Sequence, residues 1–277
     1  MKKRIVVVTI CVGIIMVVCG CQPKVRRIGN TVSSTQISNN SNSESVESFD
    51  VNKTVYEDNL VVLKCKEITD RYILFEVVNK TDYEIEWLNL QTSLDGVQLP
   101  LYSYDSSDKN ITAQETREIE MDGEIGQAEH NRISLSGNVF IDGTSKGEID
   151  VSDMELGGKE NVPEIKTQNQ IYDDELVTIY YNDLVIDNME FCVDNKTDHA
   201  ITVGFWGADS LSINGQQYTS SVVTINAHSK GIYSGYISSM DGSDVQIMQV
   251  DSFQGIFGIK DQNNNYIEDI NLNFSEK

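Results

Sequence analysis

Hydrophobic and polar positions alternate with period two along much of the chain after residue 60. Val61, Leu63 and Cys65 alternate with Val62, Lys64 and Lys66, and Ile73, Phe75 and Val77 with Leu74, Glu76 and Val78. Tyr83, Ile85 and Trp87 alternate in the same way with Glu84, Glu86 and Leu88. This period, carried by β-branched and aromatic residues, predicts half-buried strands. Further strands are expected over 115–121, 132–141 and 148–153. Turn formers separate the runs: residues 79–82 suit an Asx-type turn, and Asp95-Gly96 and Asn214-Gly215 are hairpin pairs. No amphipathic helix of three turns follows residue 21, so an all-β chain is predicted. Parity also predicts what lies inside. Cys65 shares the phase of Val61 and Leu63 and is expected in a core. Cys192 stands between Phe191 and Val193 and is expected to face out with Glu190, whereas His199 falls on an inward position at a core edge.

The pattern occurs twice. Asn79-Lys80-Thr81-Asp82 recurs as Asn195-Lys196-Thr197-Asp198, an offset of 116 residues that also aligns Leu60 with Leu176, Phe75 with Phe191 and Ile85 with Ile201. Ser93-Leu94-Asp95-Gly96 aligns with Ser212-Ile213-Asn214-Gly215 at 119, so the second copy gains three residues. Ile111-Thr112-Ala113 aligns with Ile225-Asn226-Ala227 at 114, and Val139-Phe140 with Ile256-Phe257 at 117. A period this long means tandem domains and not a solenoid, whose repeats run to about 20–50 residues. The expected organisation is a leader over 1–20, a tether over 21–53, copy one over 54–158 and copy two over 164–277. Gly157-Gly158 and Pro163 mark the boundary near 155–170, where two independently folding domains would meet.

The N-terminal segment reads differently. Lys2, Lys3 and Arg4 precede an apolar run from Ile5 to Val18 that ends at Cys19-Gly20-Cys21. The run is shorter than the roughly 20 residues of a spanning helix and matches a signal-peptide core of about 7–15. The segment resembles a bacterial lipoprotein signal peptide. That resemblance implies Cys21 as the acylated first residue of the mature protein, held in the cell membrane on its extracytoplasmic face by a diacylglycerol. Residues 30–48, NTVSSTQISNNSNSESVES, carry too little apolar surface to offset chain entropy and are expected to be a disordered tether.

Charge narrows the function. The chain holds 43 acidic and 21 basic side chains, a net −22. Residues 54–160 carry 9 basic against 23 acidic groups, and residues 161–277 carry 5 against 17. Nucleic-acid binding needs a basic footprint to neutralise phosphates, so no nucleic-acid partner is expected. About seven short strands in roughly 100 residues fit an immunoglobulin-like β-sandwich. Each copy resembles the small immunoglobulin-like domains of lipoproteins and secreted proteins from Gram-positive bacteria. The likeness rests on the strand–Asn-Lys-Thr–strand segment, the Asp/Asn-Gly hairpin and the strand opened by Ile-x-Ala. It implies tandem sandwiches in an extracellular setting and carries over no catalytic or binding residue. The inter-sheet disulfide of true immunoglobulin domains has no counterpart, and Trp87 aligns with Val203.

Candidate chemistry is sparse. Gly143-Thr144-Ser145-Lys146-Gly147 spells G-x-S-x-G, but a strand is expected after it where a nucleophile elbow needs a helix, so a hairpin loop is predicted. Residues 261–265, DQNNN, have the rhythm of a calcium loop, yet Tyr266 and Leu272 occupy the glycine and glutamate positions. Asp173-Asp174-Glu175 stands at a strand entrance, where acids ordinarily face water. His130, His199 and His228 do not recur between the copies and assemble no triad. No catalytic residue, metal ligand or cofactor is expected. Trp206, Tyr102 and Tyr104 are the candidate ligand contacts, as aromatic anchors. The expected function is a lipid-anchored extracellular binding module for a protein, peptide or glycan, without catalysis. The alternative is an accessory subunit of a cell-envelope complex such as a transporter or wall-assembly machine.

Overall fold

The computed structural model describes residues 47–101, 110–185, 188–206, 211–239 and 249–275. Cys21, the leader, the tether up to residue 46, Tyr102 and Tyr104 lie outside the described residues. Every regular element described is a strand. Copy one contains β1 (Ser48–Glu57), β2 (Val61–Thr69), β3 (Tyr72–Asn79), β4 (Trp87–Leu94), β5 (Val97–Leu99), β6 (Thr116–Asp122), β7 (Arg132–Ile141) and β8 (Thr144–Glu155). Copy two contains β9 (Asn169–Asp173), β10 (Val177–Val185), β11 (Asn188–Asn195), β12 (Ile201–Phe205), β13 (Leu211–Ile213), β14 (Gln216–Ser220), β15 (Val222–Ile225), β16 (Ser229–Ser239), β17 (Ser252–Lys260) and β18 (Tyr266–Ser275).

Pairing repeats with the sequence. The order β1-β2-β3-β6 recurs as β9-β10-β11-β16. Opposite it in copy one runs β5-β4-β7-β8. In copy two the single strand β4 is split into β12 and β13, both antiparallel to β17, whose other edge carries β18. The three residues gained by copy two fall at this split. Each copy closes around its own core. Copy one buries Leu63, Cys65, Ile73, Phe75, Ile133 and Leu135. Copy two is richer in rings: Phe191 lies 5.7 Å from Tyr233 and 5.6 Å from Phe253, and Tyr233 lies 5.7 Å from Phe257.

Four expectations need correction. β1 begins at Ser48, inside the stretch read as tether to residue 53, because Phe49 and Val51 reach the core and β1 pairs with β2 across two register shifts. The third strand starts at Trp87 and not at Tyr83. Only Ile85 is buried there, bridged to Ile111, while Tyr83 is 63% exposed. Cys192 is fully buried. It does lie on the outward phase, but Tyr180 and Ile232 flank it in register on both neighbouring strands and close over so small a side chain. His199 is exposed, because β12 starts only at Ile201 and residues 196–200 form a turn in which strand parity does not hold. Cys65 is buried as its phase predicts. Burial pushes both thiols up to about 12, which leaves them protonated at neutral pH.

The Asn-Lys-Thr segment explains why the repeat survives in sequence. Asn79 and Asn195 are fully buried. The Asn79 amide donates to the carbonyls of Tyr83 (2.7 Å), Ile111 (3.0 Å) and Thr112 (3.0 Å). That of Asn195 donates to His199 (2.9 Å), Ile225 (3.1 Å) and Asn226 (2.9 Å). Each side-chain oxygen accepts from the following threonine's N–H and hydroxyl. Lys80 and Lys196 donate back to Asp58 O and Asp174 O, both at 2.6 Å. Buried polar groups need such partners, and here one side chain satisfies two loops at once.

The two copies meet through a polar contact. The tip of the β15–β16 loop, Asn226, is completely buried against the outer face of β5-β4-β7. Its side-chain amide donates to Ser93 Oγ (2.8 Å), Gln91 O (3.2 Å) and Ser134 O (3.2 Å), and its oxygen accepts from the Ser136 hydroxyl. Its backbone N–H donates to Gln98 Oε1 (2.9 Å), and Gln98 Nε2 donates to Thr224 O (2.8 Å). Lys230 N–H donates to Gly96 O (2.8 Å), and β16 joins β5 in a parallel bridge. His199 Nδ1 lies 3.0 Å from Asp150 Oδ2.

Candidate functional site

The face of copy two that corresponds to this socket is open. Three register pairs define the correspondence. Ser93 stands opposite Gln98 on β5 and Ser134 on β7, as Ser212 stands opposite Gln217 on β14 and Gln254 on β17. Ser136 stands opposite Asp150, as Ile256 stands opposite Asn271, so Ile256 matches Ser136 and not Val139 as the sequence offset of 117 implies; Val139 faces the core and Ile256 faces out. The copy-two residues line a groove of about 350 Å³, with Asn273 at its end. Gln217, Gln254, Asn271 and Asn273 are exposed, and Ile256 is 47% exposed. In copy one Ser93, Ser134 and Ser136 lie beneath Asn226 and are all at most 3% exposed; Ser212, the counterpart of Ser93, is buried at the floor of the open face.

Both sockets are shaped by the same turn. Asp95 (φ 46°) and Asn214 (φ 49°) precede Gly96 and Gly215 in the left-handed region, the conformation a two-residue hairpin of this hand requires. Asp95 accepts from the N–H groups of Arg132 (2.8 Å), Asn131 (3.1 Å) and Asn161 (2.8 Å), and its other contact is the buried His130 Nδ1 at 2.9 Å. Asn214 accepts from the N–H groups of Asp251 and Ser252, both at 3.0 Å. His130 is therefore a structural partner of the hairpin, a role the sequence did not reveal because Asp95 lies 35 residues away.

Trp206 lies over Gly258, two residues along β17 from Ile256. Its ring lies on Gly258, where a Cβ would come within 2.5 Å of it. The Lys260 ammonium sits 4.3 Å from the Trp206 ring centre and 4.5 Å from that of Tyr266, and the two rings meet edge-on at 6.0 Å. This cation–π arrangement keeps Trp206 half-buried and leaves Tyr266 60% exposed. Of the three aromatic anchors predicted, Trp206 alone lies among the described residues, held by Gly258, Lys260 and Tyr266.

The remaining sequence motifs have structural partners. Ser145 follows the Asp142-Gly143 turn on β8 and donates to Asn138 Oδ1 at 3.1 Å, so G-x-S-x-G forms a hairpin. Asp261 closes the β17–β18 turn by accepting from Asn265 N (2.8 Å) and Nδ2 (2.9 Å), bonds that lower its pKa. Asp174 accepts from Leu176 and Val177 N–H groups at 2.8 Å, as Asp58 does from Leu60 and Val61. Asp173 pairs with Lys196 at 2.7 Å, which lowers its pKa. Among the described residues no group of three or more His, Cys, Asp or Glu is placed to hold a metal ion, and there is no helix long and apolar enough to cross a membrane. No family model matches the chain, and no curated protein matches it.

Proposed function

We propose that the chain is a lipid-anchored, extracytoplasmic protein-binding module without catalysis, built from two tandem immunoglobulin-like sandwiches. Cys21 carries the diacylglycerol, and the Ser/Asn-rich segment after it holds the sandwiches off the membrane. The observation that supports the reading is the uncovered amide row Gln217–Gln254–Asn271–Asn273 around Ile256. Its counterpart in copy one already holds a protein loop. A folded partner presenting a loop fits such a face better than a charged small molecule, since the row itself is uncharged within an acidic domain. The test is capture from intact cells with the anchored chain, comparing the native protein with Gln254→Arg. A partner retained by the native chain and lost in the variant is expected, and equal recovery with both removes this face from the account. The anchor is tested separately: Cys21→Ala should move the chain from the membrane to the soluble fraction, and a variant that stays membrane-bound contradicts lipidation.

A further inference from the structure

We infer that the open groove of copy two takes the Thr112 loop of copy one from a second molecule of this chain. The inference rests on the binding reading above and names the partner. The loop that fills the socket within one molecule has a twin. Asn79 holds the carbonyls of Tyr83, Ile111 and Thr112 as Asn195 holds those of His199, Ile225 and Asn226, so Thr112 is the positional match of Asn226, and Tyr83 of His199. Gln114 (φ 62°) and His228 (φ 49°) close the two loops alike, each N–H donating at 3.2 Å to the motif threonine's carbonyl. In copy two the loop is engaged. In copy one Thr112, Ala113 and Gln114 are exposed.

The differences between loops match the differences between sockets. Where Asn226 accepts from Ser136, the matching pair is Thr112 and Ile256; the Thr112 hydroxyl is donated to Glu115, which leaves its methyl for the aliphatic side chain. Where His199 faces Asp150, the free pair is Tyr83 and Asn271, a phenol and an amide that hydrogen-bond without charge. Ser212 stands for Ser93 and the Gly215 carbonyl for that of Gly96; Gln217 stands for Gln98 but has to take the Thr112 N–H from Glu115, which accepts it at 2.8 Å in the single molecule. Tyr83 is the most exposed large apolar side chain among the described residues, which accords with a surface that is covered on assembly. Loop and groove lie on different copies, so the contact is heterologous and builds head-to-tail chains of molecules or a ring. A net charge of −22 opposes it, so salt strengthens it.

The experiment uses the full chain. Thr112→Cys and Ile256→Cys variants are prepared singly, mixed in equal amounts and oxidised. A 112–256 linked peptide well in excess of 112–112 and 256–256 links is expected, and links formed at random overturn the inference. In parallel, sedimentation of the native chain should show a weight-average mass that rises with protein and salt concentration. Ile256→Arg should hold it at the single-chain value with unchanged melting temperature. A native chain that sediments as a monomer throughout, while cell capture through Gln254 still recovers a partner, sinks self-association and leaves the binding reading standing. Loss of both sinks both.

Discussion

Two buried asparagines, Asn79 and Asn195, each tie two loops of a copy together. Asn195 makes three donor bonds and accepts two from Thr197. Asn195→Ala leaves three carbonyls without that donor inside a closed loop, and an unmet buried polar group costs about 1–3 kcal/mol. The loss of stability should reach about 3 kcal/mol by denaturant titration, with Asn79→Ala similar. A loss under about 0.5 kcal/mol contradicts the role. The acidic groups add a pH dependence. Lys196 and Thr178 hold the Asp173 carboxyl below its usual range. Thr112 does the same for Glu115. A lowered folded-state pKa means stability that is complete above the ordinary carboxylate value of about 4 and is lost as pH falls through the lower folded value. Melting temperature should therefore drop in that acid range, and the part due to Asp173 should vanish in Asp173→Asn. Burial, reinforced by Asp150 and Asp261, raises Glu148, which acts in the opposite sense and gains stability on acidification.

At the scale of strands, the outer sheet of copy two owes its surface to glycine. Gly204 and Gly258 stand opposite each other on β12 and β17, and the Trp206 ring occupies the space over Gly258. Gly258→Val should lift that ring from the sheet, break its contact with Lys260 and cost about 1–3 kcal/mol through overpacking. Tryptophan emission, read in a Trp87→Phe background, should shift to the red, and an unshifted spectrum means the ring is held by something else. Strand phase was legible where side chains alternate over several residues. β2, β3 and β7 stand within a few residues of expectation, and Cys65 lies inside. It failed at ends. β1 is polar enough to pass for tether, Tyr83 and His199 belong to turns closed by Asn79 and Asn195, and Cys192 is covered by neighbours on other strands. Trp206 stood out in sequence as an aromatic. The groove did not, because Ser212, Gln217, Gln254 and Asn271 come from four strands and no local pattern unites them.

For the whole molecule, the central claim is that each sandwich carries one loop and one socket, and that Asn226 joins the copies by that pairing. One hydrophobic cluster runs from Val55 to Leu156 and the other from Val177 to Leu272, so each copy has a core of its own. The linker is nevertheless pinned on both sides: Asn161 N–H donates to Asp95, and Gln168 N–H to Asn182 Oδ1. Docking therefore adds order to domains that do not share a core. Asn226→Asp removes the donors to Gln91, Ser93 and Ser134 and sets a carboxylate against two carbonyl oxygens, which should separate the copies. The most direct measurement is amide hydrogen exchange at Asn226 and Lys230, whose N–H groups donate across the boundary to Gln98 and Gly96. Protection there comparable to the amides of β11, lost in Asn226→Asp while β11 stays protected, is the result the pairing predicts. Exchange of both amides in the native chain at the rate of an open loop would contradict it.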